Sequence, residues 1–206
     1  MKNKHLNFLC HDFRGEIWFI CAKIFKIQHT AITTMLTKVL LTIGGTKYGK
    51  NLSCRGILQV SRAQCSTIVI GNNCKFNSSS LYNQRGIDHR CIISTGKEKA
   101  RIIIGDRCGF SGVSVVADKE VIIGNDVTIG IGVRIGDRDD HEELYETNAK
   151  PVHIGNHVWL GMNVTVMKGV TIGDNSIVGA GAIVTKDIPS GVVAAGIPAK
   201  VIKILN

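Results

Sequence analysis

The sequence is poor in aromatic residues and in proline. Aromatic residues make up 5% of the 206 residues, and there are 3 prolines beside 23 glycines. No uninterrupted apolar run approaches the ~20 residues that a helix needs to span a bilayer. Charged residues interrupt the N-terminal stretch, so a signal peptide is not expected either. Abundant glycine with Ile and Val favours short strands and tight turns over a helical core.

Cysteine usage and charge narrow the setting further. The 7 cysteines include no CxxC pair, which argues against a disulfide framework and against a zinc site. We therefore expect reduced, cytoplasmic surroundings and no metal. Cys74 and Cys108 come four residues after Ile70 and Ile104. At this position of the repeat a small inward-facing side chain fits. The formal charge of +9 suits an anionic partner, or it is a solvated surface that aids solubility.

The N-terminal region predicts helix. Residues 16–43 predict one or two helices in which lysines lie among bulky apolar residues, and residues 44–51 predict a flexible connector. Two interpretations compete for the helical part. It is a cap packed on the end of the domain, which the irregular apolar face favours, or an interfacial helix resting on anionic lipid at the inner face of the membrane. The chain then divides into 1–51, the helical segment with its connector, and 52–206.

From about residue 52 the sequence repeats every six residues, as in IGNNCKF, IGDRCGF and IGNHVWLGMNVTVMKGVTIGDNSIVGAGAIV. Such periodicity is typical of parallel β-helices. The aliphatic residue points inward, and Gly, Asn or Asp permits the tight turn. Three units make one coil, and coils stack at ~4.8 Å. Because the last coil cannot leave its strand edges open, the C-terminal segment is expected to form a cap.

The repeat breaks over DRDDHEELYETNAKP, residues 137–151. The preceding register predicts an aliphatic residue at position 141, but His141 is there, and the repeat resumes at Ile154. A rigid repeat that expels one loop usually does so for function. His141 therefore stands at the base of a predicted functional loop.

The motifs VWLG, GVTIGDNS, GAGAIVTKDIP and AAGIPAKVI resemble, in order, the signature of the left-handed β-helix acyltransferases. The closest resemblance is to the maltose and galactoside O-acetyltransferases, and CIISTGKEKARIIIGDRCGFSGVSV is similar to their exopolysaccharide and colanic-acid branch. The resemblance implies a mainly β protein with a left-handed parallel β-helix, although ordinary β-crossovers are right-handed. It also implies a homotrimer with sites between subunits, acetyl-CoA as co-substrate, a saccharide or glycan acceptor, and no nucleic-acid partner.

The same resemblance implies the catalytic residues. His141 matches the family's general base, which takes the proton from a sugar hydroxyl as it attacks the thioester. Met162 matches the position whose backbone N–H stabilises the negative oxygen, although relatives usually carry a smaller residue there. Ser111 matches an acceptor-facing position; alternatively it belongs to an ST-type turn. The implied acetyl-CoA contacts are Trp159, Gly161, Met162, Ala180, Thr185, Lys186, Lys200 and Lys203.

Other activities remain open on this scaffold. N-acetylation of an amino-sugar nucleotide and O-acetylation of an antibiotic are alternative transferase functions. His153 and His157 invite comparison with the γ-class carbonic anhydrases, which bind zinc through three histidines, although a third ligand is not evident. A non-catalytic β-helix scaffold is the remaining alternative, but it gives no reason for the loop that carries His141.

Overall fold

The computed structural model describes residues 13–83, 85–138 and 148–205. Within these ranges one helix, α1 (Phe13–Ile43), precedes the strands, and a 3-10 turn lies at Ser80–Tyr82. The strands of the described part are β1 (Lys47–Tyr48), β2 (Ser53–Arg55), β3 (Gln59–Arg62), β4 (Thr67–Ile70), β5 (Lys75–Asn77), β6 (Ile92–Thr95), β7 (Arg101–Ile104), β8 (Gly109–Ser111), β9 (Ser114–Ala117), β10 (Glu120–Ile123), β11 (Thr128–Ile129), β12 (Arg134–Gly136), β13 (Val152–Ile154), β14 (Trp159–Leu160), β15 (Thr165–Val166), β16 (Thr171–Ile172), β17 (Ile177–Val178), β18 (Ile183–Val184), β19 (Val192–Ala195) and β20 (Lys200–Ile204).

The strands stack into three sheets, which form the faces of a prism. Face A contains β1, β4, β7, β10, β13 and β16; face B contains β2, β5, β8, β11, β14, β17, β19 and β20; face C contains β3, β6, β9, β12, β15 and β18. Each coil passes through faces A, B and C in turn, and successive coils pair in parallel, as β10 does with β7 and β13. The predicted parallel β-helix is confirmed.

The core is a set of stacked ladders of inward side chains. Ile104, Ile123 and Ile154 follow one another on face A and are almost fully buried. Cys74 and Cys108 are also buried, with 0% and 1% exposure, which confirms their expected packing role. Burial of the repeating aliphatic position from coil to coil is what stabilises the prism.

Each end of the prism is covered. At the start, α1 lies against β2, and its threonines satisfy the open strand edge: Thr33 Oγ1 donates to the Cys54 carbonyl at 2.6 Å, and Thr34 Oγ1 accepts the Cys54 N–H at 2.9 Å. At the other end β20 returns antiparallel to β19. Both elements protect edges that would otherwise pair with another chain, so the C-terminal cap is confirmed and the second half of α1 acts as a cap.

The β-helix begins earlier than expected. β1 lies inside the stretch 44–51, which the sequence predicted to be a flexible connector, and it pairs with β4 through Lys47 and Tyr48. Tyr48 packs against the core, and its hydroxyl is 3.1 Å from Thr42 Oγ1. The expectation of a flexible connector is therefore wrong, because an aromatic anchor and a strand partner order this segment.

Candidate active site

The loop at 137–151 leaves and rejoins the prism at neighbouring points. The backbone N–H of Lys150 donates to the carbonyl of Asp137 at 2.8 Å. Both residues lie where the chain passes from face C to face A, which we call the C/A edge. His141 and the rest of 139–147 lie outside the described residues.

Asp137 fixes the start of this loop. It is fully buried, and its carboxylate accepts the backbone N–H groups of Asp118, Lys119 and Glu120 at 2.8, 2.7 and 2.7 Å. The next residue, Arg138, forms an ion pair with Asp118 at 3.1 Å. Charge-assisted bonds to three backbone donors make a strong anchor. The segment with the predicted base therefore departs from a rigid point, which the sequence analysis did not identify.

At the edge between faces A and B (the A/B edge), several coil turns are completed by a side chain of the next coil. The residue after the turn glycine directs its backbone N–H to the next coil, where a side chain accepts it. The Asn72 N–H donates to Asp106 Oδ1 at 2.7 Å, and the Asn156 N–H donates to Asp174 Oδ1 at 2.6 Å. The pKa of Asp106 lies below its usual value. The main cause is the hydrogen bond from the Asn72 backbone N–H, and the second is the bond from the Asn72 side chain.

The edge between faces B and C (the B/C edge) departs from this arrangement at Met162. Met162 has the same place in its hexapeptide as Asn72, but the residue opposite it in the next coil is Ala180. Alanine offers no acceptor, and the Met162 N–H donates to no group among the described residues. A Cβ at Gly161 would come within 2.6 Å of the Ala180 nitrogen, so glycine is required for this close stacking. The result is a backbone donor that the fold leaves available.

Trp159 stands on face B next to this donor. It begins β14, between Thr128 of β11 and Ile177 of β17. Its side chain is 53% exposed, whereas the neighbouring Leu160 is fully buried. The exposed indole offers an aromatic surface on which a ligand can pack.

Ser111 lies on the same B/C edge, two coils before Met162. The coil spacing puts the two backbones roughly 10 Å apart. Ser111 ends β8, and its hydroxyl accepts a hydrogen bond from Asn77 Nδ2 at 3.2 Å. The buried Asn77 Oδ1 has no partner within the described ranges. Asn77, which sequence reasoning missed, therefore places an unpaired, buried acceptor beneath this edge.

A second excursion, at 78–91 between β5 and β6, approaches the same edge. A Cβ added at Gly112 would come within 2.7 Å of Ile87 Cγ2, so this loop packs closely against the turn after β8. Arg85 Nη1 donates to Met162 Sδ at 3.7 Å. The loop thus brings a guanidinium against the Met162 side chain, a contact that sequence reasoning also missed.

The remaining predicted contacts are divided between two edges. Lys200 begins β20 and pairs with Ala195 towards the B/C edge, and Lys203 lies further along β20 on face B. Thr185 and Lys186 follow β18 at the C/A edge, the edge of the extruded loop. All four predicted contact residues are exposed.

Face C separates these two groups within one chain. In one coil, Met162 at the B/C edge and Lys168 at the C/A edge are up to ~20 Å of extended chain apart. The structure brings Trp159, Gly161, Met162 and Ala180 together, but it places the base of the loop on the far side of face C. Among the described residues, the two groups therefore lie on opposite sides of face C.

The two histidines of HIGNH face outward and engage different carboxylates. His153 Nε2 is 3.1 Å from Glu120 Oε1, and His157 Nδ1 is 3.9 Å from Asp126 Oδ2. The hydrogen bond from His153 is the main cause that lowers the pKa of Glu120. In the described ranges, no group of three His, Cys, Asp or Glu side chains could hold a metal ion. The zinc site of the carbonic anhydrase alternative has no counterpart there.

Comparison with known proteins bears on this geometry. Residues 151–186 match the family described as bacterial transferase hexapeptide (six repeats). The chain carries the hexapeptide repeat of bacterial transferases. Over 99 residues it is 48% identical to the galactoside O-acetyltransferase of Escherichia coli (strain K12). The matched segment covers 46% of this chain and 49% of that protein. It is 43% identical over 100 residues to the galactoside O-acetyltransferase of Lactococcus lactis subsp. lactis (strain IL1403), covering 46% and 48%. This repeat protein thus spans about half the length of the curated relatives that it matches.

Solved structures show the same fold. The N-acyltransferase AntD of Bacillus cereus, in complex with dTDP and 3-hydroxybutyryl-CoA, is similar with a TM-score of 0.62 and 19% identity over 82% of this chain and 88% of that one. A hexapeptide-repeat acetyltransferase of Vibrio cholerae, in complex with acetyl-CoA, has a TM-score of 0.52 and 20% identity over 90% and 85%. The predicted mainly β, left-handed parallel β-helix is confirmed for this repeat protein.

Proposed function

We propose that the protein is an acetyl-CoA-dependent O-acetyltransferase that modifies a hydroxyl of a saccharide, glycan or glycolipid. The observation that carries the proposal is the open Met162 N–H beside Trp159, inside the segment that matches the bacterial transferase repeat. The similarity of this half of the chain to galactoside O-acetyltransferases supports O-linked chemistry.

In the proposed reaction His141 is the general base. Its neutral imidazole accepts the proton of the acceptor hydroxyl as that oxygen attacks, and it returns the proton to the leaving sulfur. Acetyl-CoA supplies the acyl group as a thioester. The anchored start of the loop, at Asp137, supports this role because a general base must be held within hydrogen-bond reach of the attacking oxygen.

The open donor at Met162 has the complementary role. Negative charge develops on the carbonyl oxygen during attack, and a backbone N–H already free of other partners stabilises it without reorganisation. Trp159 and the glycine turn at Gly161 would contact the slender pantetheine arm, with Ala180 beside it. Lys186, Lys200 and Lys203 are exposed cations that would hold the phosphates, with Thr185 alongside, and Ser111 would orient the acceptor hydroxyl.

The proposed active enzyme is a homotrimer with sites between subunits. Face C separates the loop base from the Met162 donor in each chain, and in the proposed trimer the C/A edge of one copy meets the B/C edge of the next. A closed ring of three copies provides one such meeting per interface. Light scattering is expected to give a trimer mass, and a monomer with full activity would contradict the proposal.

The proposed compartment is the cytoplasm, where acetyl-CoA is available. The six cysteines of the described part, among them Cys54 and Cys91, are all free, as expected in a reducing compartment. Burial raises the pKa of the Cys54 thiol to about 12, so this thiol is unreactive.

A screen of saccharide acceptors with radiolabelled acetyl-CoA tests the activity. Labelled ester, released by mild base, is expected from an acceptor with free hydroxyls. Base-stable label on an amino-sugar nucleotide would favour N-acetyl transfer instead. The N-acyltransferase AntD shares its fold with this chain. Calorimetry with acetyl-CoA is the companion measurement, and an absence of binding would reject both activities and leave a scaffold.

A further inference from the structure

The two halves of α1 have different surroundings. From Thr33 onward the helix packs on the first coil, but none of its residues from 13 to 28 is buried. Among the side chains of this half, Phe13 is 70% exposed, Trp18 76% and Phe19 68%. Apolar side chains exposed in such number on one segment mark an interaction surface.

A groove of about 910 Å³ runs between α1 and the start of face B. Its apolar lining includes Phe19, Ile27 and Met35. Its wall is held in place by Tyr82 of the 78–91 loop, whose hydroxyl donates to the Lys26 carbonyl at 2.9 Å and lies 2.8 Å from His29 Nδ1.

The same groove is strongly basic. Lys23, Lys26, Lys38 and Arg55 line it, and none of its described lining residues is Asp or Glu. The Arg55 guanidinium lies over the Tyr82 ring, 5.5 Å from its centroid, which keeps this charge at the groove rather than free in solvent. Cations around an apolar surface match a ligand that has an anionic head and an apolar tail.

We propose that the N-terminal half of α1 and this groove form a docking surface for a bilayer that contains anionic phospholipid. Trp18, Phe19 and their apolar neighbours enter the boundary between headgroups and acyl chains, while Lys23, Lys26, Lys38 and Arg55 contact lipid phosphates. In this proposal the helix lies along the membrane surface. No helix of the described ranges is long and apolar enough to cross a membrane. The inference does not depend on acetyl transfer.

A second copy of this chain that presents its own groove is the competing occupant. Two copies that met through equivalent grooves would bring Lys23, Lys26, Lys38 and Arg55 of each against those of the other, and like charges in contact are repelled. An anionic lipid surface neutralises the same cations. Charge complementarity therefore favours lipid.

Vesicle co-flotation with the full chain tests this. The protein is expected to float with vesicles of phosphatidylcholine and phosphatidylglycerol, far less with phosphatidylcholine alone, and less as salt is raised. The double variant Lys23→Glu/Lys26→Glu should lower the partition coefficient roughly ten-fold or more, given the contribution of each basic residue near an anionic surface. The matched control Lys99→Glu/Lys119→Glu makes the same charge change on exposed lysines of the prism and should bind nearly as the parent does.

Tryptophan fluorescence separates the two occupants. In a Trp159→Phe background Trp18 is the single tryptophan, and its emission should shift to the blue when anionic vesicles are added. The proposal is overturned if the protein fails to float with anionic vesicles, or if both double variants float equally well. A blue shift that follows protein concentration without lipid would assign the surface to a second copy instead.

Discussion

The A/B and B/C edges of the prism are built from the same hexapeptide, yet the turn N–H of Asn72 has an acceptor in the next coil and that of Met162 has none among the described residues. At the A/B edge Asp106 completes the turn by accepting the Asn72 N–H. At the B/C edge Ala180 stands opposite Met162, and the equivalent N–H has no acceptor in the described part of the chain. A repeat that satisfies its turns with Asp and Asn can thus expose a donor simply by placing alanine in the next coil.

The largest effect on activity is expected for the loop that carries His141, which in the proposed trimer would lie between the C/A edge of one copy and the B/C edge of the next. His141→Ala should lower acetyl transfer by roughly 10²–10⁴-fold, the usual contribution of one positioned general base, while acetyl-CoA binding by calorimetry stays close to that of the parent. In the parent, kcat/KM should rise with pH as imidazole loses its proton. A variant that retains most of its activity would place the base elsewhere, and an insoluble one would make the histidine structural.

Exchanging the two edges is the next test. Ala180→Asp puts the acceptor of the A/B edge opposite Met162, and we expect kcat to fall roughly 10²–10³-fold, as for loss of one oxyanion donor. Ala180→Val is the control, similar in size but without an acceptor. If both variants lose activity equally, crowding rather than occupation of the N–H explains the loss.

At the A/B edge, the substitution Asp106→Asn should lower stability and leave activity intact. The folded-state pKa of Asp106 is lowered by the Asn72 backbone bond, so its stabilisation is present above the unfolded-state pKa and is lost as pH falls through the folded-state value. The Tm difference between parent and variant should therefore be largest near neutral pH and vanish in acid. A difference that persists in acid would mean that the bond does not depend on the ionised carboxylate.

A smaller effect on activity than that of Ala180→Asp is expected at the base of the loop. Asp137→Ala leaves three backbone N–H groups without their acceptor, and the free energy of unfolding should fall by about 2–5 kcal/mol. kcat/KM should fall about ten-fold because the base is less well held, with acetyl-CoA affinity unchanged. Asp137→Asn keeps one acceptor oxygen, so its stability and kcat/KM should lie between those of the parent and of Asp137→Ala. Urea unfolding and initial rates measure the two quantities.

The sequence predicted the structure of the repeat better than that of the segments that interrupt it. The aliphatic positions predicted the inward ladders because each depends only on its own coil. Tyr48 and the 78–91 loop were not recognised, because their order comes from distant contacts such as Arg85 with Met162. The register gap between Phe76 and Ile93 was the available signal for that loop. Asp137 was missed for the same reason, since its partners lie a coil away.

Lysine contacts to the co-substrate should give the smallest effects. Lys186→Ala and Lys203→Ala should raise the KM for acetyl-CoA several-fold with little change in kcat, because contacts far from the thioester hold ground state and transition state about equally. Lys99→Ala, an exposed lysine outside the site, is the control for charge alone. An unchanged KM in both variants would remove these lysines from the site.

Complementation between inactive variants tests most directly whether the site forms between chains. His141→Ala damages the C/A edge, and Ala180→Asp damages the B/C edge. When differently tagged forms are co-expressed in equal amounts and assort at random into trimers, about a quarter of the interfaces should combine an intact loop with an intact donor. We therefore predict recovery of about a quarter of parental kcat in the unfractionated mixture, and of about a third in purified mixed trimers, where one interface in three is intact. Activity no greater than that of the separate variants would contradict the account, since it would show that the base and the donor act from the same chain.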